Sequence, residues 1–110
     1  MKSIYRLKKN YQYNYVYKHA ISVADKNFVM LYCENNGRGS KVGFSVSKKF
    51  GKAVARNRIR RQLKAAVNAV MPLVKDGYNV IFIPRRHEAY PFDEVSCSVR
   101  SLFHKAGLLQ

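Results

Sequence analysis

The chain has 110 residues, 47% of them hydrophobic, with 21 basic and 6 acidic side chains and a formal charge of +15 at neutral pH. That length suits one domain, the apolar content is too high for a disordered tail, and the charge calls for an anionic partner. A membrane surface has little support, because no apolar run approaches the roughly 18 residues of a bilayer span and Met1-Lys2-Ser3-Ile4-Tyr5-Arg6 lacks the apolar centre of a signal peptide.

In chain order, residues 1–9 carry Lys2, Arg6, Lys8 and Lys9 and read as a basic, partly flexible arm. Asn10 is a candidate helix cap. Residues 11–19 are ambiguous. Tyr11, Tyr13, Tyr15 and Tyr17 alternate as in a strand, whereas Tyr13, Val16, Tyr17 and Ala20 share a helix face. Ile21 to Ala24 forms a short strand before an Asp25-Lys26 turn. Phe28 to Cys33 is apolar at every position, so both faces of that strand are covered at least in part. Asn35-Asn36-Gly37-Arg38-Gly39 is a turn. Lys41 to Ser47 is the next strand, with Val42, Phe44 and Val46 on one face and the small Gly43, Ser45 and Ser47 on the other.

A long helix follows. Ile59, Leu63, Ala66, Val67 and Val70 fall at helical spacing on one apolar face. Asn57, Arg58, Arg60, Arg61 and Lys64 point away from it, and Arg56 sits near the boundary. Pro72 should end the helix, and Asp76-Gly77 makes a turn. Tyr78 to Pro84 holds a buried strand, Val80-Ile81-Phe82-Ile83. Residues 85–89 form a loop, and Pro91 favours a helix start. Val95, Val99, Leu102, Phe103 and Ala106 line the face of a final helix, which Gly107 stops.

Nine basic residues lie between Lys41 and Lys64, and no acidic one. They are Lys41, Lys48, Lys49, Lys52, Arg56, Arg58, Arg60, Arg61 and Lys64. A solvated helix face is the ordinary reading of a charge run, but it relies on ion pairs four residues apart, and here the acids are missing. Like charges repel, so the run makes sense against phosphate, which the planar guanidinium engages at two oxygens. The six acids are scattered, His19, His87 and His104 lie far apart, and Cys33 and Cys97 show no CxxC spacing. The sequence offers no protein-borne hydrolytic centre, and the two thiols read as small core residues in a reducing compartment, with a cytoplasmic setting expected.

The ungapped run Phe44-Ser-Val-Ser-Lys-Lys-Phe-Gly-Lys-Ala-Val-Ala-Arg-Asn-Arg-Ile-Arg-Arg resembles the signature of the protein subunit of bacterial ribonuclease P, whose Arg-Asn-Arg motif is matched by Arg56, Asn57 and Arg58. Arg6-Leu7-Lys8-Lys9-Asn10 and the order of elements resemble that family too, so the likeness covers nearly the whole chain. The resemblance implies a short helix over residues 11–19. It also implies a single-domain α-β-β-β-α-β-α sandwich, α+β in class, with a four-stranded, mostly antiparallel sheet and a ribosomal-protein-like, left-handed βαβ crossover. It implies hydrolysis by metal ions on a catalytic RNA, with the protein binding that RNA and the 5′ leader of precursor transfer RNA.

Carried onto this chain, the leader cleft would involve Tyr13 and Tyr17, with Leu31 where relatives often have a strand aromatic, and Val29 on the same face. Lys48, Lys49, Lys52, Arg56, Asn57, Arg58, Arg60, Arg61 and Lys64 would meet RNA. Asn57 is uncharged, and its amide could orient an arginine or reach a metal-bound water. The resemblance favours an indirect role beside a magnesium ion bound mainly by RNA. No obligate protein partner is expected. A ribosomal or general RNA-binding protein is the alternative. A protein-only nuclease would need clustered carboxylates or histidines that this sequence lacks.

Overall fold

Val80, Ile81 and Phe82 are buried in succession, so the strand that carries them must be covered on both faces. It is the last of four strands, β1 (Ile21–Ala24), β2 (Phe28–Glu34), β3 (Lys41–Phe44) and β4 (Tyr78–Pro84). They form one sheet in the order β1-β2-β4-β3. β2 pairs antiparallel with β1 and β4, and β3 runs parallel to β4. The described residues also form three α-helices, α1 (Asn10–His19), α2 (Ala53–Val70) and α3 (Phe92–Lys105). The architecture comes from a computed structural model that describes residues 5–85 and 90–110. Most of the expected loop after β4, including His87, lies outside the described residues.

Two hydrophobic layers flank the sheet. On one face Phe28, Met30, Val42, Val80 and Phe82 meet Ile59, Leu63, Ala66, Val67 and Val70 of α2 and Val95, Val99, Leu102 and Phe103 of α3. All five apolar positions read from the α2 periodicity are buried. On the other face a smaller cluster of Leu7, Val16, Cys33 and Ile81 lies under α1, edged by Tyr13, Leu31 and Ile83. β2 feeds both layers by simple alternation, Phe28 and Met30 to one side, Leu31 and Cys33 to the other.

Residues 10–19 are helical, which settles the ambiguity of the alternating tyrosines. Val16 is the buried residue of α1; Tyr11, Tyr15 and Tyr17 are exposed, and Tyr13 packs at the edge of the smaller cluster. Asn10 is the first helical residue and not the cap. The N-terminus is closed by Gln12, whose Oε1 accepts the backbone N–H groups of Lys9 at 3.1 Å and Lys8 at 3.3 Å. β3 ends at Phe44 rather than Ser47, because the chain turns through a 3₁₀ segment, Lys48–Phe50, that buries Phe50. Of the expected basic arm over residues 1–9, residues 1–4 lie outside the described residues, and the part from Arg6 to Leu7 is tied to the sheet. Arg6 bridges Val42 beside β3, the Leu7 N–H donates to the Val42 carbonyl at 3.0 Å, and Leu7 is 2% exposed. One leucine within a basic run therefore ties the segment to the sheet edge.

The division of α2 between core and surface has a direct test. Leu63→Ala should lower unfolding stability by about 2–5 kcal/mol, the usual cost of such a cavity. Arg58→Ala, at an exposed position, should change it by less than about 0.5 kcal/mol. Urea denaturation of both variants checks this, and equal losses would contradict the division.

Candidate RNA interface

α2 starts without a side-chain cap and with no acid in its first turn. Its N-terminal partial positive charge is left unneutralised by the chain and adds to the side chains around it. Lys48, Lys49 and Lys52 are exposed on the approach to the helix, and Asn57, Arg58 and Arg61 are exposed on it. Arg56, Arg60 and Lys64 are half-buried, and the Arg56 Nε is buried without a hydrogen-bond partner. Arg60 Nη1 donates to Asn57 Oδ1 at 3.3 Å. One reading of Asn57 was that its amide orients a neighbouring arginine, and this contact has that form.

α1 approaches the opposite edge of this surface through a single glycine. A Cβ built on Gly43 would lie 2.6 Å from the Tyr13 Cζ, closer than side chains tolerate. The phenol ring therefore lies against the β3 backbone because position 43 has no side chain. Burial pushes the Tyr13 hydroxyl above its ordinary pKa, partly offset by a hydrogen bond from the Phe44 backbone and by the nearby Arg6 and Arg60. The hydroxyl therefore stays neutral at physiological pH.

Three adjoining depressions result. The first is lined by Tyr13, Asn14, Tyr17, Phe44, Ser45, Val46 and Arg60, with Asn10 at its end. The second is lined by Arg6, Lys8, Tyr13, Gly43, Phe44, Arg60 and Lys64, above Leu7 and Val42. The third is lined by Val54, Asn57, Arg60, Arg61 and Lys64. Arg60 borders all three, so aromatic rings on α1 and cations on α2 share one continuous surface.

The structure thus joins Tyr13 and Tyr17 to Arg60, Arg61, Lys64 and Asn57. Lys48, Lys49, Lys52, Arg56 and Arg58 do not line these depressions. Val29 and Leu31 lie half-buried on the α1 side of the sheet, and the depression beside Tyr17 does not reach them. Its floor is Phe44, Ser45 and Val46 at the sheet edge. Sequence reasoning missed Arg6, Lys8 and Phe44, because the pairing of the N-terminal segment with β3 is long-range. The small face of Gly43 and Ser45 was the available signal.

Among the described residues, no group of three or more His, Cys, Asp or Glu side chains could hold a metal ion. Asn57 offers one exposed carbonyl oxygen, far short of the six oxygens magnesium takes. No helix among the described residues is long and apolar enough to cross a membrane.

A basic, acid-free helix face joined to a short aromatic helix, on a mixed four-stranded sheet, defines an α+β RNA-binding protein. The family model for ribonuclease P matches residues 1–107, and the chain belongs to that family. It is 40% identical to the ribonuclease P protein component of Symbiobacterium thermophilum, covering 100% of this chain and 97% of that one. It is 39% identical to that of Thermoanaerobacter sp. strain X514, covering 97% and 93%. The RNase P protein of Staphylococcus aureus superposes with a TM-score of 0.86 at 30% identity, over 96% of this chain and 98% of that one. That of Thermotoga maritima superposes at 0.82 with 26% identity, over 91% and 96%. The chain is thus the protein part of an endoribonuclease that works with an RNA subunit in transfer RNA 5′ processing. The general RNA-binding and protein-only nuclease alternatives give way to this assignment.

The close approach at Gly43 generates a prediction. Gly43→Ala should lower the melting temperature, because the new methyl displaces the Tyr13 ring. In a Tyr13→Ala background the same substitution should be nearly silent, giving a coupling of about 0.5–3 kcal/mol between the two sites. Thermal melts of the four proteins measure it, and additive effects would show that the ring does not rest on residue 43.

Proposed function

We propose that the depression between α1 and the β3 edge takes the unpaired 5′ leader of precursor transfer RNA, while the cationic face of α2 meets the catalytic RNA or the precursor near the cleavage site. The observation that carries this reading is the shared border. Tyr13 and Tyr17, one helical turn apart, line the same depression as Arg60. Rings stack on any base, since every base has a π-face, and a flanking cation tracks the backbone. A surface of this kind suits a single strand of variable sequence.

In this reading Arg60 sits where base and phosphate contacts meet, and Asn57 holds its guanidinium. Arg61 and Lys64 extend the positive surface along α2, and Lys48, Lys49, Lys52, Arg56 and Arg58 give further phosphate contacts. Magnesium, held by RNA oxygens and water, would supply the hydrolytic chemistry. Among the described residues no donor set fits a metal cage, so Asn57 acts at most on the ion's outer shell. A cytoplasmic setting, with no membrane and no obligate protein partner, is consistent with this role.

The leader assignment is tested by comparing two RNAs. Tyr13→Ala and Tyr17→Ala should weaken binding of precursor transfer RNA to the assembled enzyme, by about 1–3 kcal/mol per lost stack. Binding of mature transfer RNA, which lacks the leader, should barely change. Equal losses for both RNAs would overturn the assignment. For Asn57, the Asn57→Ala variant should raise the magnesium concentration needed for cleavage more than it weakens association with the catalytic RNA. Magnesium titrations that overlay those of the unmodified protein would leave Asn57 a structural role only.

A further inference from the structure

Tyr11 and Tyr15 take no part in the surface just described. At about 100° per residue they fall on the opposite side of α1 from Tyr13 and Tyr17. They are 69% and 50% exposed. His19 continues the row one turn further, its ring 4.4 Å from that of Tyr15 and tilted by 38°. Val16 is the buried residue of this helix, so core packing does not account for the three rings.

Tyr11 and Tyr15 border a separate depression of about 230 Å³ between α1 and the turn joining β2 to β3, whose walls include Arg38, Lys41, Asn35 and Asn36. Glu34 is also on its wall. The turn is braced. Asn36 and Gly37 adopt φ values of 63° and 79°, and the Asn35 amide donates to the Gly39 carbonyl and to Asn79 Oδ1, each at 3.1 Å. Arg38 is therefore presented from a fixed turn. The Asn35 Oδ1 is buried without a donor of its own.

We propose that this is a second stacking site, which takes an unpaired nucleotide of the catalytic RNA, its base against Tyr11 and Tyr15 and its phosphate toward Arg38 and Lys41. Rings beside cations select nucleic acid over an apolar protein partner. The choice of the catalytic RNA rests on the reading above, in which the leader occupies the Tyr13 and Tyr17 side. A strand bound there would have to pass around the end of α1 to reach Tyr11. A structured RNA subunit can meet α1 from the far side independently. The helix would then be held between two RNA segments, one on each aromatic row.

The test is equilibrium binding to the catalytic RNA alone, without precursor, beside a thermal melt of each protein. The paired Tyr11→Ala and Tyr15→Ala substitutions should weaken binding roughly tenfold. The Phe pair should bind as the unmodified protein does, and the melts should overlay. Unchanged affinity of the Ala pair, a loss retained by the Phe pair, or a loss accompanied by a lower melting temperature would each overturn the proposal. In a separate arm with precursor bound to the assembled enzyme, a loss confined to precursors with long leaders would also overturn it, by making the leader the occupant. Arg38→Ala, on an exposed turn, is the independent arm. It should make the log–log salt dependence of binding shallower by about 0.7–0.9, and an unchanged slope would remove Arg38 from the contact. The arms that use the catalytic RNA by itself read the same wherever the leader binds, and only the precursor arm reports on the leader.

Discussion

Helix α2 is held in place by five buried apolar side chains against a repulsion that its own outer face creates. Ile59, Leu63, Ala66, Val67 and Val70 bind it to the sheet and to α3, while Arg56, Arg58, Arg60, Arg61 and Lys64 crowd the other side with no acid in the run. The interior anchoring lets the protein keep an uncompensated positive surface without losing the helix. The uncapped N-terminus adds to the same potential. RNA is the natural complement, since its phosphates relieve the repulsion and release their counterions on binding.

The second determinant is the distance between α1 and the sheet. Gly43 leaves room for the Tyr13 ring on the β3 backbone, which brings the aromatic side of α1 beside Arg60. Two chemically different surfaces, one aromatic and one cationic, meet at a single arginine. The Asn57 carbonyl oxygen takes one of its N–H groups.

Much of this was legible in the sequence where local pattern decides structure. The spacing from Ile59 to Val70 gave the buried face of α2, and the unbroken apolar run from Phe28 to Cys33 correctly implied a strand covered on both sides. Residues 11–19 were not decidable by pattern, because Tyr11, Tyr15 and Tyr17 are exposed and Tyr13 is only half-buried, so the tyrosines contribute little burial to either a strand or a helix. What decides is Val16 beneath the helix and Gln12 at its start. The pairing of Arg6 and Leu7 with β3 was not legible, because it joins residues far apart in the chain. Val29 and Leu31 were placed on the correct face, but strand order is not written in periodicity. With β4 between β2 and β3, the depression beside Tyr17 is floored by Phe44, Ser45 and Val46 instead.

The central claim is that the leader lies between α1 and the β3 edge, on the side of the sheet away from α3. A tethered RNA-cleaving reagent tests it most directly. Native Cys97 is exposed on α3, and Cys33 is buried, so one attachment point already exists on the far side. The other is made by Asn14→Cys in a Cys97→Ser background, since Asn14 lines the depression beside Tyr17. In the enzyme–precursor complex, the account predicts cuts in the leader from position 14 and none there from Cys97. Leader cuts from Cys97 with none from position 14 would contradict it.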